Sequence, residues 1–110
     1  MFDGFWIVTY AGMEGKSGGV VVMMKGKIFG GDSAFTYIGT YKEANGKVSA
    51  DVLVQNFDPL VGNVMGIKGD FNLKFELAAN GDKELHGQAS TPVAPGFGLK
   101  AKLVRRSNLD

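Results

Sequence analysis

Apolar and polar residues alternate along most of this chain with a period of two. The clearest case is residues 70–78, where Phe71, Leu73, Phe75 and Leu77 occupy one phase and Asn72, Lys74 and Glu76 the other. Successive side chains of a strand point to opposite faces, so the pattern predicts a strand with one face on a core. Residues 48–55 repeat it, with Val48, Ala50, Val52 and Val54 against Ser49, Asp51, Leu53 and Gln55. So do residues 84–90, with Leu85, Gly87 and Ala89 against His86, Gln88 and Ser90, and residues 97–105, with Phe97, Leu99, Ala101 and Leu103 against Lys100 and Lys102. Nearer the start, residues 4–11 are aromatic and β-branched, and Trp6, Val8 and Tyr10 share a face. Residues 17–25 contain the apolar run Val20-Val21-Val22-Met23-Met24, too short and too β-branched for a helix. The expected inward face of that strand is Val20, Val22 and Met24. Residues 28–41 read as two short strands, the second with Phe35, Tyr37, Gly39 and Tyr41 on its heavier face.

Between the strands lie turn signals. Residues 12–15, Lys25-Gly26-Lys27, Asn45-Gly46 and Asn80-Gly81-Asp82 are all of hairpin length. At Gly30-Gly31-Asp32 the chain is expected to turn a sharp corner, because glycine reaches backbone angles closed to other residues and Asp32 can bond nearby amides. Residues 91–96, with two prolines, form a loop, and residues 57–69 are the one long connection. No segment shows helical spacing. Eight short strands joined mainly by hairpins predict an all-β fold, an eight-stranded antiparallel up-and-down barrel, since closure removes the exposed edges of a flat sheet. It spans residues 1–105 as one domain, with 106–110 as a flexible C-terminal tail. The expected interior, and so the candidate ligand-facing set, is Trp6, Val8, Tyr10, Val22, Phe35, Tyr37, Tyr41, Phe71, Phe75 and Leu99. So many rings predict a filled barrel without a large cavity.

Composition narrows the function. Twelve Lys plus Arg against eleven Asp plus Glu give a net charge of +1, with no basic block, which argues against nucleic acid as a partner. The 110 residues include no cysteine, so neither disulfides nor thiolate metal sites are available. Met1-Phe2-Asp3-Gly4 places an acid where a signal peptide has cations, and no apolar run approaches the length of a membrane span. The expectation is a soluble, cytoplasmic protein with no membrane partner. Gly15-Lys16-Ser17 has the ending of a phosphate-binding loop, but Tyr10 stands where its first glycine would be and a strand follows instead of a helix. His86 is the sole histidine and lies on a polar phase, so it has no histidine partner for a metal or a base–nucleophile couple. These residues predict no catalytic centre, no metal and no cofactor.

At Gly30-Gly31-Asp32, followed by Tyr37-Ile38-Gly39-Thr40-Tyr41, the chain resembles the GrlR-like family of small regulators of type III secretion genes. Asp3-Gly4-Phe5-Trp6, Gly18-Gly19-Val20-Val21-Val22 and Asn45-Gly46 extend the resemblance over residues 2–103. It implies a lipocalin-like (calycin-like) barrel that forms a homodimer and acts by contact with a protein, in the family's best-known case a transcriptional activator. Gly4-Phe5-Trp6 also matches the short Gly-x-Trp signature of lipocalins. The turn Lys42-Glu43-Ala44-Asn45-Gly46-Lys47 departs from the family's repressor, carrying one acid where that protein has an acidic run.

Two function classes follow. The first is a non-enzymatic regulator that works by protein–protein interaction. The second is a carrier or sensor of a small apolar ligand, with residues 57–69 as a lid. In the first, Leu60, Val61, Val64, Met65 and Ile67 are the expected interface, because they are too apolar for an idle surface loop.

Overall fold

The computed structural model describes residues 2–12, 15–58, 69–94 and 98–109. Their strands are β1 (Gly4–Gly12), β2 (Gly15–Met24), β3 (Lys27–Gly31), β4 (Phe35–Ala44), β5 (Lys47–Asn56), β6 (Phe71–Asn80), β7 (Glu84–Ser90) and β8 (Leu99–Ser107). Each pairs antiparallel with the next, and β1 pairs with β8, closing an eight-stranded up-and-down barrel. Among the described residues there is no helix. The last strand continues through Arg106 and Ser107, past the expected start of the tail at residue 106; Ser107 is held by pairing with Phe5.

The tight turns follow their residues. Lys25-Gly26 and Asn45-Gly46 both have positive φ at their two central positions (52° and 80°, 55° and 76°), the backbone of a two-residue hairpin whose twist suits the flanking strands. They lie at the same end of the barrel as the β6–β7 turn, where Gly81 also has positive φ. The connections β1–β2, β3–β4, β5–β6 and β7–β8 leave from the opposite end, which therefore carries both longer linkers. The stem of the β5–β6 linker is fixed: the Asn56 amide donates to Asp70 Oδ1 and the Phe57 amide to the Ala34 carbonyl.

Facing inward are Trp6, Val8 and Tyr10 of β1, Phe35, Tyr37 and Tyr41 of β4, Phe71, Leu73, Phe75 and Leu77 of β6, and Leu99, Ala101 and Leu103 of β8. Strand β2 is in the opposite phase from that expected. Buried Trp6 pairs with Val21, and residues paired across adjacent strands project to the same side. Val21 and Met23 therefore enter the core, while Val22 lies outside and partly exposed, with Val20 and Met24. Five consecutive apolar residues carry no alternation, so only the register with β1 decides which face turns in.

Gly30 and Gly31 also act differently from the expected corner. Both belong to β3 and neither has positive φ; the reversal falls on residues 32–34. What excludes a side chain is space. A Cβ on Gly30 would lie 2.0 Å from the Val20 carbonyl oxygen, and one on Gly31 2.6 Å from that of Phe35. Gly39 and Gly87 repeat this, 2.1 Å from the Asp51 and 1.9 Å from the Glu76 carbonyl oxygen. At these points the sheet bends so sharply that a neighbouring backbone occupies the Cβ position, as barrel closure requires. Gly87→Ala should accordingly cost about 1–3 kcal/mol or more of stability, the usual penalty for overpacking. Gly98→Ala, where a Cβ meets nothing within 4 Å, should stay within ~0.5 kcal/mol of the parent. Urea denaturation of both variants checks the contrast, and equal stabilities would contradict the account.

Candidate functional site

The barrel interior is the first place where a ligand could sit, and it is nearly full. Among the described residues a small void of about 30 Å³ remains, lined by residues that include Tyr10, Tyr37, Val52, Phe75 and Leu103. That is room for a water molecule or so, whereas pockets for small-molecule ligands run to roughly 300–1,000 Å³. Aromatic rings take the space. Tyr10 stands edge-on to Tyr37 and tilted on Phe75, each with centroids 6.3 Å apart.

The polar atoms of these rings are committed to the structure. Asp32 Oδ1 accepts from the Ala34 and Phe35 amides, 2.9 Å each, and Oδ2 accepts from the Tyr37 hydroxyl at 2.5 Å. Asp32 thus caps the β3–β4 turn and satisfies a buried phenol at once, so its role extends beyond the turn cap read from sequence. Burial pushes the Tyr10 phenol up to about 12, and burial, then the neighbouring Tyr10 and Asp32, raises Tyr37 further.

The other end is closed by the N-terminal segment. Phe2 is buried, its ring 6.4 Å from that of Trp6, and its carbonyl accepts from Trp6 Nε1 at 3.0 Å. The Arg105 guanidinium lies 4.6 Å over the Trp6 ring and donates to the Asp3 carbonyl. Asp3 in turn accepts from the Tyr41 hydroxyl and the Lys25 amide, and the Tyr41 bond holds its carboxyl below the usual carboxylate range. Burial, and then that same carboxylate, pushes Tyr41 up to about 12. One short segment ties β1, β4, β8 and the β2–β3 turn together.

The outside has two unlike halves. Over β6, β7 and β8 it is polar, with Asn72, Lys74, Glu76, His86, Gln88, Lys100 and Lys102. His86 Nε2 lies 2.7 Å from Glu84 Oε1, and that contact keeps the Glu84 carboxyl low. Among the described residues no group of three or more His, Asp or Glu could hold a metal ion. Over β1 to β5 the outer face is mixed, with an apolar row crossing it among polar residues such as Thr9, Lys27, Thr36, Thr40, Ser49 and Asp51. The pairing runs Phe5 to Val22, Val22 to Phe29, Phe29 to Ile38 and Ile38 to Leu53, an unbroken row across five neighbouring strands. Ile7, Val20 and Met24 flank it, each about two-fifths exposed, and Phe29 and Ile38 at its middle are 45% and 48% exposed.

Nine of the ten interior residues read from sequence are buried: Trp6, Val8, Tyr10, Phe35, Tyr37, Tyr41, Phe71, Phe75 and Leu99; Val22 is the exception. Leu60, Val61, Val64, Met65 and Ile67, the expected interface, lie outside the described residues, as does Phe97. The outer row was missed. Its signal was present in strands apolar on both phases: Phe5 and Ile7 alternating with Trp6 and Val8, and the run at 20–24.

The buried phenols set a pH dependence. Their folded-state pKa values lie above the unfolded value of 10.0, so the folded state retains protons that the unfolded chain releases. The stability they contribute is complete below pH 10 and is lost as pH rises from there toward 12 and beyond. Spectrophotometric titration should show tyrosine ionising together with unfolding, and Tyr10→Phe should make the alkaline loss of stability shallower. Free titration of all tyrosines near pH 10 in the folded protein would contradict the geometry.

No family model matches the chain, and no curated protein matches it.

Proposed function

We propose that this protein is a non-enzymatic, cytoplasmic regulator that acts by contact with protein, using the barrel as a rigid scaffold. The observation that carries the reading is the partly exposed apolar row from Phe5 to Leu53, set on a barrel whose described interior is lined with packed rings around a void of about 30 Å³. Soluble proteins seldom leave large contiguous apolar patches uncovered, and this one is too broad to be scattered surface residues. The resemblance to GrlR-like regulators supports the same class, with a transcriptional activator as the kind of partner. A membrane-spanning barrel is disfavoured by polarity: such barrels are apolar outside and polar inside, whereas here the core is apolar and the β6–β8 exterior polar.

The carrier reading, with residues 57–69 as a lid, has one observation in its favour: both longer linkers leave from one end of the barrel. It requires the interior to expand about tenfold to reach the lower bound for ligand pockets. That expansion would have to break the edge-on packing of Tyr10 on Tyr37 and displace Tyr37 from Asp32.

A photo-cross-linking residue placed at Ile38, in protein expressed in its native cells, should trap discrete protein adducts after illumination. The same residue at Gln88 on the polar face should trap few. Equal adducts from both positions, or none from Ile38, would contradict the proposal.

A further inference from the structure

We propose that the outer face shared by β7, β8 and β1 is a binding site for a small soluble phosphate monoester. The proposal stands apart from the protein-contact reading, because it uses other residues and another class of ligand.

Strand register builds the site. His86 of β7 pairs with Lys102 of β8, which pairs in turn with Thr9 of β1; one row along, Gln88 pairs with Lys100 and Lys100 with Ala11. Residues paired across neighbouring strands project to the same side, and these two rows point out of the barrel. Between them run Gly87, Ala101 and Tyr10, which belong to the inward phase. The face therefore has walls of long polar side chains over a floor of backbone. It encloses a depression of about 410 Å³ lined by these residues. Ligand pockets run to roughly 300–1,000 Å³, so the depression has room for a small molecule where the barrel interior has none.

The charges in the depression are unbalanced. Lys100 and Lys102 are two residues apart on one strand, which puts their Cα atoms about 6.6 Å apart on the same face. Neither forms an ion pair with a described residue. The carboxylates at the neighbouring outward positions have other partners: Glu84 lies 2.7 Å from His86 Nε2, and Glu76, which pairs with Gln88, accepts from Ser49 Oγ at 3.1 Å. Lys102 also bears on Glu84 as a secondary positive charge. Two ammonium groups held side by side repel, and an anion seated between them relieves both.

The donors select the ligand class. A phosphate monoester carries a charge of about −1.5 to −2 at neutral pH and three strong acceptor oxygens. The two lysines match that charge, and the Gln88 amide and Thr9 hydroxyl supply further donors within the same depression. A carboxylate, with about half the charge and two oxygens, leaves part of this set unused. A polymer of phosphates fits worse. Two cations suffice for one phosphate, and Glu76 and Glu84 at the borders repel the next ones along a chain.

The test is an amide NMR titration of the full chain with glycerol 3-phosphate in about 50 mM salt, where surface charges are weakly screened. The amides of residues 86–88 and 100–102 should shift and saturate, with Kd near ~100 µM. Lys100→Gln or Lys102→Gln alone should weaken binding about 10-fold, and the pair together about 100-fold, as expected for charge-assisted hydrogen bonds. Lys74→Gln, on the same polar half but outside the depression, should change it less than about 2-fold. The lysines are exposed, and the single variants carry the test if the double variant fails to fold. Acetate should bind at least ~10-fold more weakly than glycerol 3-phosphate. Acetate binding as well as the ester, shifts centred equally on Lys74, or no saturation by about 10 mM would overturn the site. Tighter binding to phosphatidylglycerol vesicles or to a single-stranded oligonucleotide, lost in the lysine variants, would overturn the small ester in favour of a lipid surface or a nucleic acid.

Discussion

The volume inside an eight-stranded barrel is the constraint on which the rest of this structure depends. Such a barrel admits one phase of side chains from each strand and little more. Here that phase contains Trp6, Tyr10, Phe35, Tyr37, Tyr41, Phe71 and Phe75, and rings consume the space. Where two rings converge, small residues stand opposite: Tyr41 pairs with Ala50, Ala50 with Phe75, and Phe75 with Ala89. Gly30, Gly39 and Gly87 go further and give up the side chain altogether where the neighbouring backbone closes in. Apolar residues in excess of this capacity have no interior to enter. Phe5, Val22, Phe29, Ile38 and Leu53 are left on the outside, which is why a filled core and an apolar exterior belong to one explanation.

The two ends of the barrel are stabilised by different means. At one, Asp3 and Arg105 join strands distant in sequence around the Trp6 ring, so the segment before β1 works as a clasp. The exposed ion pair of Lys74 with Asp51, at 3.9 Å, adds little by comparison, because solvent screens it. At the other end Asp32 accepts bonds from two turn amides and from Tyr37, whose ring packs edge-on against Tyr10. The Tyr37 phenol is thereby satisfied within the chain. The polar chemistry of the barrel is spent on holding its shape, which leaves the outer face as the surface available for recognition.

Much of the fold was legible in the sequence because β5, β6, β7 and β8 each have one apolar and one largely polar phase. Period two then gives both the strand and its direction of facing. Strand β2 defeats that logic, since Val20 to Met24 are apolar on both phases and only pairing to Trp6 decides between them. Placing Val22 inside hid the exterior row, whose members come from five strands and meet only through register. The glycines at 30 and 31 were recognisable as necessary, but the reason was carbonyl proximity across strands, which no local pattern reports. The partnership of Asp3 with Tyr41 spans 38 residues and is equally invisible to spacing.

The central claim is that the inside of this barrel supports its outside and holds nothing else. It is tested most directly by purifying the protein from its native cells under mild conditions, denaturing it in organic solvent and analysing the extract by mass spectrometry. The account predicts no small apolar molecule in stoichiometric amount. One released mole for mole, and absent after Val52→Phe fills the interior void, would contradict it.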